Sequence, residues 1–452
     1  MNQPTQTVLS FLLYFFFIAF FSMSCSQSSS QEKLAIEKDT LQSPPVLLFA
    51  MPEDVGLSTD SLKKVDELIS RYVKEKKFPG AVVLIAKGGK IIYETEVGWS
   101  DSMHTEPYRK DHIFRMASMT KPLTSVAAMQ LYEQGKLDLN DPVSKYIPEF
   151  ADATVLTAFH KEDTTWESRQ ARHAPTIHHL LTHTSGIPYG FITPEVNGAI
   201  MAKYDIPDLA THLDVKLEES MASLGKLPLA HDPGERFTYG LSTDVLGRVV
   251  EVASGMSLAD YFKKNITGPL GMEDTDFFLD ETQASRLVDN YMLNDSGRIT
   301  STYDLGKLYD PDFPVKGASY FSGGSGLSGT ARDYFVFSQT MLEKGTFQGV
   351  QLLKPETAKM MEINQLDTVS FPWADSGFGY GFEVANKHPV KPSGTFYWGG
   401  AFSTTFWIDP ENEIVAIMLS QVLFGSNEMF KEFENLVYNA MDEENVAELA
   451  NN

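Results

Sequence analysis

The sequence predicts an α/β fold: one antiparallel sheet flanked by helices, with an all-helical part inserted into it. Three observations predict it: a strand hairpin early in the chain, a mainly helical middle, and strand-like alternation late. Pairing the early strands with the late ones brings early, middle and late residues to a shared cleft. The sheet part is expected over about 57–110 and 300–445, and the helical part over about 111–299.

Each element has its local reason. Ser58, Thr59 and Asp60 precede an amphipathic stretch through Tyr72, in which Leu62, Val65, Leu68 and Ile69 recur at helical spacing. Pro79-Gly80 stops it. Ala81–Ala86 and Ile91–Val97 then read as two strands joined at Gly88-Gly89, a hairpin signal. Helices are expected over Ser118–Gln134 and Thr243–Ala253, closed by Gly135 and Gly255, since glycine suits a left-handed cap. The polar stretch His160–His173 reads as an exposed loop. Late strands are expected at Gly379–Val384, Gly394–Tyr397, Thr404–Ile408 and Ile414–Leu419, and a terminal helix at Glu428–Met441.

The N-terminal region stands apart. Val8–Met23 is a nearly continuous apolar run, shorter than the roughly 20 residues a membrane-spanning helix needs. It reads as a secretory leader (1–24), or alternatively as an uncleaved anchor. Cys25, the one cysteine of the chain, closes the run and resembles the lipid-attachment cysteine of bacterial lipoproteins. A polar tether is expected over 25–56. With no second cysteine, the chain forms no internal disulfide and no cysteine-based zinc site. An exported protein of the bacterial cell envelope is the expectation, held to a membrane only through Cys25. The net charge of −23, with no basic block, speaks against a nucleic-acid partner.

Ser-x-x-Lys occurs at Ser30/Lys33, Ser61/Lys64, Ser118/Lys121 and Ser223/Lys226, so the spacing alone is weak. Ser118 stands apart because it sits at a helix start. Residues three apart share a helix face, so Lys121 can reach the Ser118 hydroxyl, and the free amides there favour negative charge. Serine beside such an amine is a known nucleophile arrangement. A plain helix cap with a solvated lysine is the local alternative.

Phe114-Arg115-Met116-Ala117-Ser118-Met119-Thr120-Lys121 resembles the active-site segment of class C β-lactamases, DD-peptidases and family VIII carboxylesterases. The resemblance continues through His179-Leu180-Leu181-Thr182-His183-Thr184-Ser185-Gly186, Pro233-Gly234-Glu235, Asp244-Val245-Leu246-Gly247 and Trp398-Gly399-Gly400, in the family's order. It implies a β-lactamase/DD-peptidase-like fold, Ser118 as acylated nucleophile, Lys121 as its activator and Tyr239 as proton shuttle. It also implies an oxyanion hole made by the Ser118 and Ala401 amides, and no cofactor. Trp398 and Gly399 replace the lysine and threonine that bind a substrate carboxylate in β-lactamases, and Leu241 replaces a usual asparagine. Trp398, Gly399, Gly400 and Leu241 are therefore expected to line a site for small neutral esters. A D-amino-acid peptidase, a DD-peptidase, a weak β-lactamase, or an envelope protein that binds a ligand without turnover are the alternatives.

Other signals carry less. His178, His179 and His183 lack the glutamate of a zinc-protease motif, so no metal site is expected. Gly323, Gly324, Gly326 and Gly329 lack a following Gly-Lys-Ser/Thr and read as a tight turn beside the cleft. No Gly-x-Ser-x-Gly elbow occurs.

Overall fold

Eight strands form the central sheet of the computed structural model, which describes residues 43–302, 310–317 and 319–441. They are β1 (Leu48–Phe49), β2 (Gly80–Lys87), β3 (Lys90–Gly98), β4 (Ser376–Phe378), β5 (Glu383–Ala385), β6 (Phe396–Gly400), β7 (Thr404–Asp409) and β8 (Ile414–Leu419). Across the sheet the order is β1-β3-β2-β8-β7-β6-β5-β4. The early hairpin joins the late strands where β2 pairs antiparallel with β8, Leu84 facing Ile417.

β2 and β8 are apolar at nearly every position because both faces of the sheet are covered. Val82, Leu84 and Ala86 enter one core, and Ala81, Val83 and Ile85 the other. Five helices matter here: α1 (Lys64–Lys74), α2 (Thr120–Glu133), α3 (Ser242–Ser254), α4 (Ala331–Leu342) and α5 (Glu428–Asn439). Leu68 and Ile69 of α1 and Phe433 and Val437 of α5 fill one core; Tyr334 and Phe337 of α4 fill the other. α2 is buried along nearly its whole length, polar Thr124 and Ser125 included, and packs against α3. Pro122 lies in its first turn, where a missing N–H costs nothing. Gly255, at φ 72, closes α3 in the left-handed region.

Three expectations change. His160–His173 is not a loop: Thr154–His160 and Thr165–Gln170 pair as an exposed hairpin. Thr154–His160 carries Val155, Leu156, Ala158 and Phe159 in adjacent pairs and Thr165–Gln170 is polar but for Trp166, so no regular apolar alternation marks them. Gly379–Val384 is not one strand: Gly379–Phe382 make the reversal between β4 and β5, where Gly381 adopts φ 95, and of the stretch only Glu383 and Val384 belong to β5. Within the expected tether, Leu48–Phe49 pairs parallel with Lys90 and Ile91 as an edge strand. Cys25 and the leader lie outside the described residues. Among the described residues, no helix is long and apolar enough to cross a membrane.

Candidate active site

Ser118 sits in the short turn Ala117–Met119 that leads into α2. Its predecessor Ala117 has φ 45, a strained left-handed conformation for an alanine and typical of a functional turn. One turn along, Lys121 is 1 % exposed and aims its Nζ back at the serine, 3.1 Å from Ser118 Oγ. Tyr239, just before α3, donates from its hydroxyl to Ser118 Oγ at 2.7 Å. Lys121 from the same helical turn and Tyr239 from 121 residues away thus meet at the Ser118 oxygen.

Lys121 Nζ has two further acceptors, the Tyr189 hydroxyl at 3.0 Å and the Gly324 carbonyl at 2.8 Å. Three acceptors match the three donors of an ammonium group. Its Nζ also lies 4.7 Å from the centre of the Tyr239 ring. Burial pushes the Tyr189 phenol well above its ordinary value, so it stays protonated. Gly324 is itself held by Asp244, whose Oδ1 accepts from Gly324 N at 3.3 Å and from Ser322 Oγ at 2.6 Å. A Cβ at Gly324 would lie 2.4 Å from Asp244 Oδ2, so only glycine brings that carbonyl to the lysine.

Trp398, on β6, is nearly buried and directs Nε1–H to the Tyr239 hydroxyl at 3.4 Å. Two strand positions on, Gly400 meets the nucleophile's turn: a Cβ there would lie 2.3 Å from Met116 O. Ala401 follows, its carbonyl fixed by Phe424 N at 2.7 Å. Ser118, Tyr239, Trp398, Gly399, Gly400 and Ala401 all line one cavity of about 540 Å³. Its mouth is aromatic: Phe191 and Phe424 approach to 5.7 Å between ring centres, and exposed Trp373 stacks on Trp398 at 5.9 Å.

Leu241 is a correction. It is 1 % exposed and does not line the cavity, because it caps α3 and turns into the core. Sequence reasoning also missed Tyr189 and the carbonyl role of Gly324. Tyr189 follows the quoted His179–Gly186 stretch by three residues, but nothing local separates it from neighbouring aromatics. The three histidines are used structurally. His178 pairs with the Tyr380 hydroxyl at 3.0 Å, and His179 caps its own helix through Thr176. His183 packs 4.9 Å from the Tyr239 ring, with its imidazole kept neutral by burial and by Lys121.

The Beta-lactamase family profile matches residues 65–437. The chain belongs to the beta-lactamase family. The protein Rv1367c of Mycobacterium tuberculosis is 35 % identical over 359 residues, spanning 76 % of this chain and 85 % of that one. Esterase EstB of Burkholderia gladioli is 27 % identical over 388 residues, 82 % of this chain and 94 % of its own. Among solved structures, EstCE1, described as a hydrolase with promiscuous acyltransferase activity, superposes with a TM-score of 0.71 at 28 % identity. It covers 84 % of this chain and 99 % of its own. The family match and these relatives make the chain a beta-lactamase-related serine hydrolase.

Proposed function

We propose that this hydrolase is a carboxylesterase of small neutral esters with Ser118 as nucleophile. The observation that carries the reading is the Ser118 Oγ contact with both Tyr239 and Lys121 beneath a cavity whose strand offers Trp398 rather than a cation. With its own hydroxyl proton given up to solvent, Tyr239 accepts the proton of Ser118 Oγ beside Lys121 as the oxygen attacks the ester carbonyl. The Ser118 and Ala401 amides hold the oxyanion. On collapse the bond to the alcohol oxygen breaks, and Tyr239 returns the proton to that oxygen. Water then attacks the acyl carbonyl as it gives a proton to Tyr239, and the bond to Ser118 Oγ breaks as Tyr239 passes that proton to Oγ, which releases the acid and restores Ser118.

Acyl transfer to an alcohol differs only in the second nucleophile, and the description of EstCE1 as a hydrolase with promiscuous acyltransferase activity supports it as a second activity. The test of the main reading is hydrolysis of p-nitrophenyl butyrate. Activity is expected in the wild type and lost in Ser118→Ala; equal activity in both overturns the assignment.

We also propose that Cys25 carries the lipid of an envelope lipoprotein. Metabolic labelling with a fatty acid should mark the wild-type chain and not Cys25→Ser; equal labelling refutes it.

A further inference from the structure

The catalytic cavity does not end at Ser118. β5 pairs with β6 only at Phe396 and Tyr397, so Trp398–Gly400 presents a bare strand edge. Side chains alternate along β6: Trp398 faces Ser118, whereas Tyr397 faces the opposite core beneath α5. The cavity nevertheless includes both faces, from Ser118 and Trp398 to Tyr397, Thr405 and Glu434. It crosses the sheet edge at Gly399, where a Cβ would stand 3.0 Å from Thr404 O and 3.9 Å from Thr405 Oγ1 on the far side. A residue with a side chain at that position narrows the crossing; glycine opens it.

Beyond the crossing the lining turns polar. Lys391, 4 % exposed, pairs with Glu434 and lies 4.4 Å over the Tyr397 ring. Glu383, 8 % exposed, accepts from the Tyr397 hydroxyl at 2.6 Å. His388 approaches Glu434 at 3.8 Å, and Lys431 stands exposed at the rim. Burial lowers His388 towards its neutral form and raises the Glu383 carboxyl. Glu434 is paired with Lys391, and Glu383 is held by the Tyr397 hydroxyl.

That composition selects among ligands. A charged group would have to compete with the buried Lys391–Glu434 pair, and removing a partner from such a pair is costly. A neutral hydroxyl both donates and accepts, so it can meet carboxylates that only accept and ammoniums that only donate. The Tyr397 and Phe430 rings add apolar faces suited to the C–H side of a polyol. From Gly400 to Tyr397 is three strand residues, which at about 3.4 Å each puts this cluster about 10 Å from the nucleophile's end of the cavity. The other end, at Leu209, Phe191 and Phe424, is apolar.

We infer that Glu383, His388, Lys391, Tyr397 and Glu434 form a second subsite of the catalytic cavity, which binds the hydroxylated alcohol portion of the ester, a polyol or sugar, while the acyl group lies against Leu209, Phe191 and Phe424. The inference rests on the esterase reading and adds its substrate class. The test compares kcat/KM for two butyrate esters of similar size, one of methyl glucoside and one of cyclohexylmethanol. Wild type is expected to favour the glucoside ester about tenfold, the worth of one or two hydrogen bonds to charged groups. That ratio should fall about fivefold or more in Glu383→Gln, which keeps the shape of the buried cluster. It should fall likewise in Gly399→Thr, which leaves the buried charges untouched and narrows the crossing. Equal use of the two esters, a ratio unmoved by both variants, or preference for a butyrate ester of a quaternary-ammonium alcohol overturns the inference. p-Nitrophenyl butyrate separates the two failures. If it is cleaved in a Ser118-dependent way and the glucoside ester is not favoured, the subsite alone falls. If no ester is cleaved, the esterase reading falls and takes the subsite with it.

Discussion

Every N–H of the Lys121 ammonium has an acceptor, and one of those acceptors is a tyrosine that sequence motifs do not single out. Tyr189 therefore acts on the reaction by positioning the lysine. Tyr189→Phe removes one acceptor and is expected to lower kcat about tenfold with little change in KM. Tyr239→Phe removes the group that moves the proton and should lower kcat by about 10²–10⁴. Steady-state kinetics on one chromogenic ester measures both. Comparable losses in the two variants would refute the division of labour, since only one hydroxyl touches Ser118.

Two elements hold the site in register, β6 and the turn before α2. Gly400 is where they touch, and a methyl group there collides with Met116 O. Gly400→Ala is expected to move β6 from the nucleophile and cost about 10² in kcat, the usual effect of a displacement near 1 Å; unchanged kcat refutes the contact. α4 carries a different kind of constraint. Asp333, in its first turn, accepts from Asp274 N and Thr275 Oγ1, both at 2.9 Å, and burial raises its carboxyl to about 7. The unfolded chain releases this proton near pH 4. Between those values the folded state binds more protons, so this group makes stability fall as pH rises from about 4 to about 7. Asp333→Asn should shrink the difference in Tm between about pH 5 and about pH 7.5, read by circular dichroism. An unchanged difference would place the slope elsewhere.

At the scale of the molecule, the sheet is covered on both faces and its centre is apolar. Trp407 of β7 is fully buried and meets Phe433 of α5 at 5.1 Å between ring centres. Trp407→Ala is expected to destabilise the fold by about 3–5 kcal/mol in urea denaturation. A loss below about 1 kcal/mol would mean that α5 can close the gap. The same cover by α5 forms the roof of the polar end of the cavity, through Phe430, Lys431 and Glu434.

Much of this was legible in the chain because it rests on local causes. The strands Ala81–Ala86 and Ile414–Leu419 follow from continuous apolar runs, the ends of α2 and α3 from glycines with positive φ, and the Ser118–Lys121 contact from helical spacing at a helix start. Family resemblance pointed further, to Tyr239 and to the β6 glycines. The remainder depends on groups far apart in sequence and carries no periodic mark. The Thr154–Gln170 hairpin has its apolar residues in adjacent pairs rather than alternating, and Leu241 differs from a lining residue only in which way its turn faces. Tyr189 and Gly324 reach Lys121 from 68 and 203 residues away, and the cavity's passage over Gly399 depends on where β5 stops pairing. Spacing sets what neighbours in a helix or strand can share; where the chain closes on itself is set by packing, and that decided the lysine's partners and the cavity's far end.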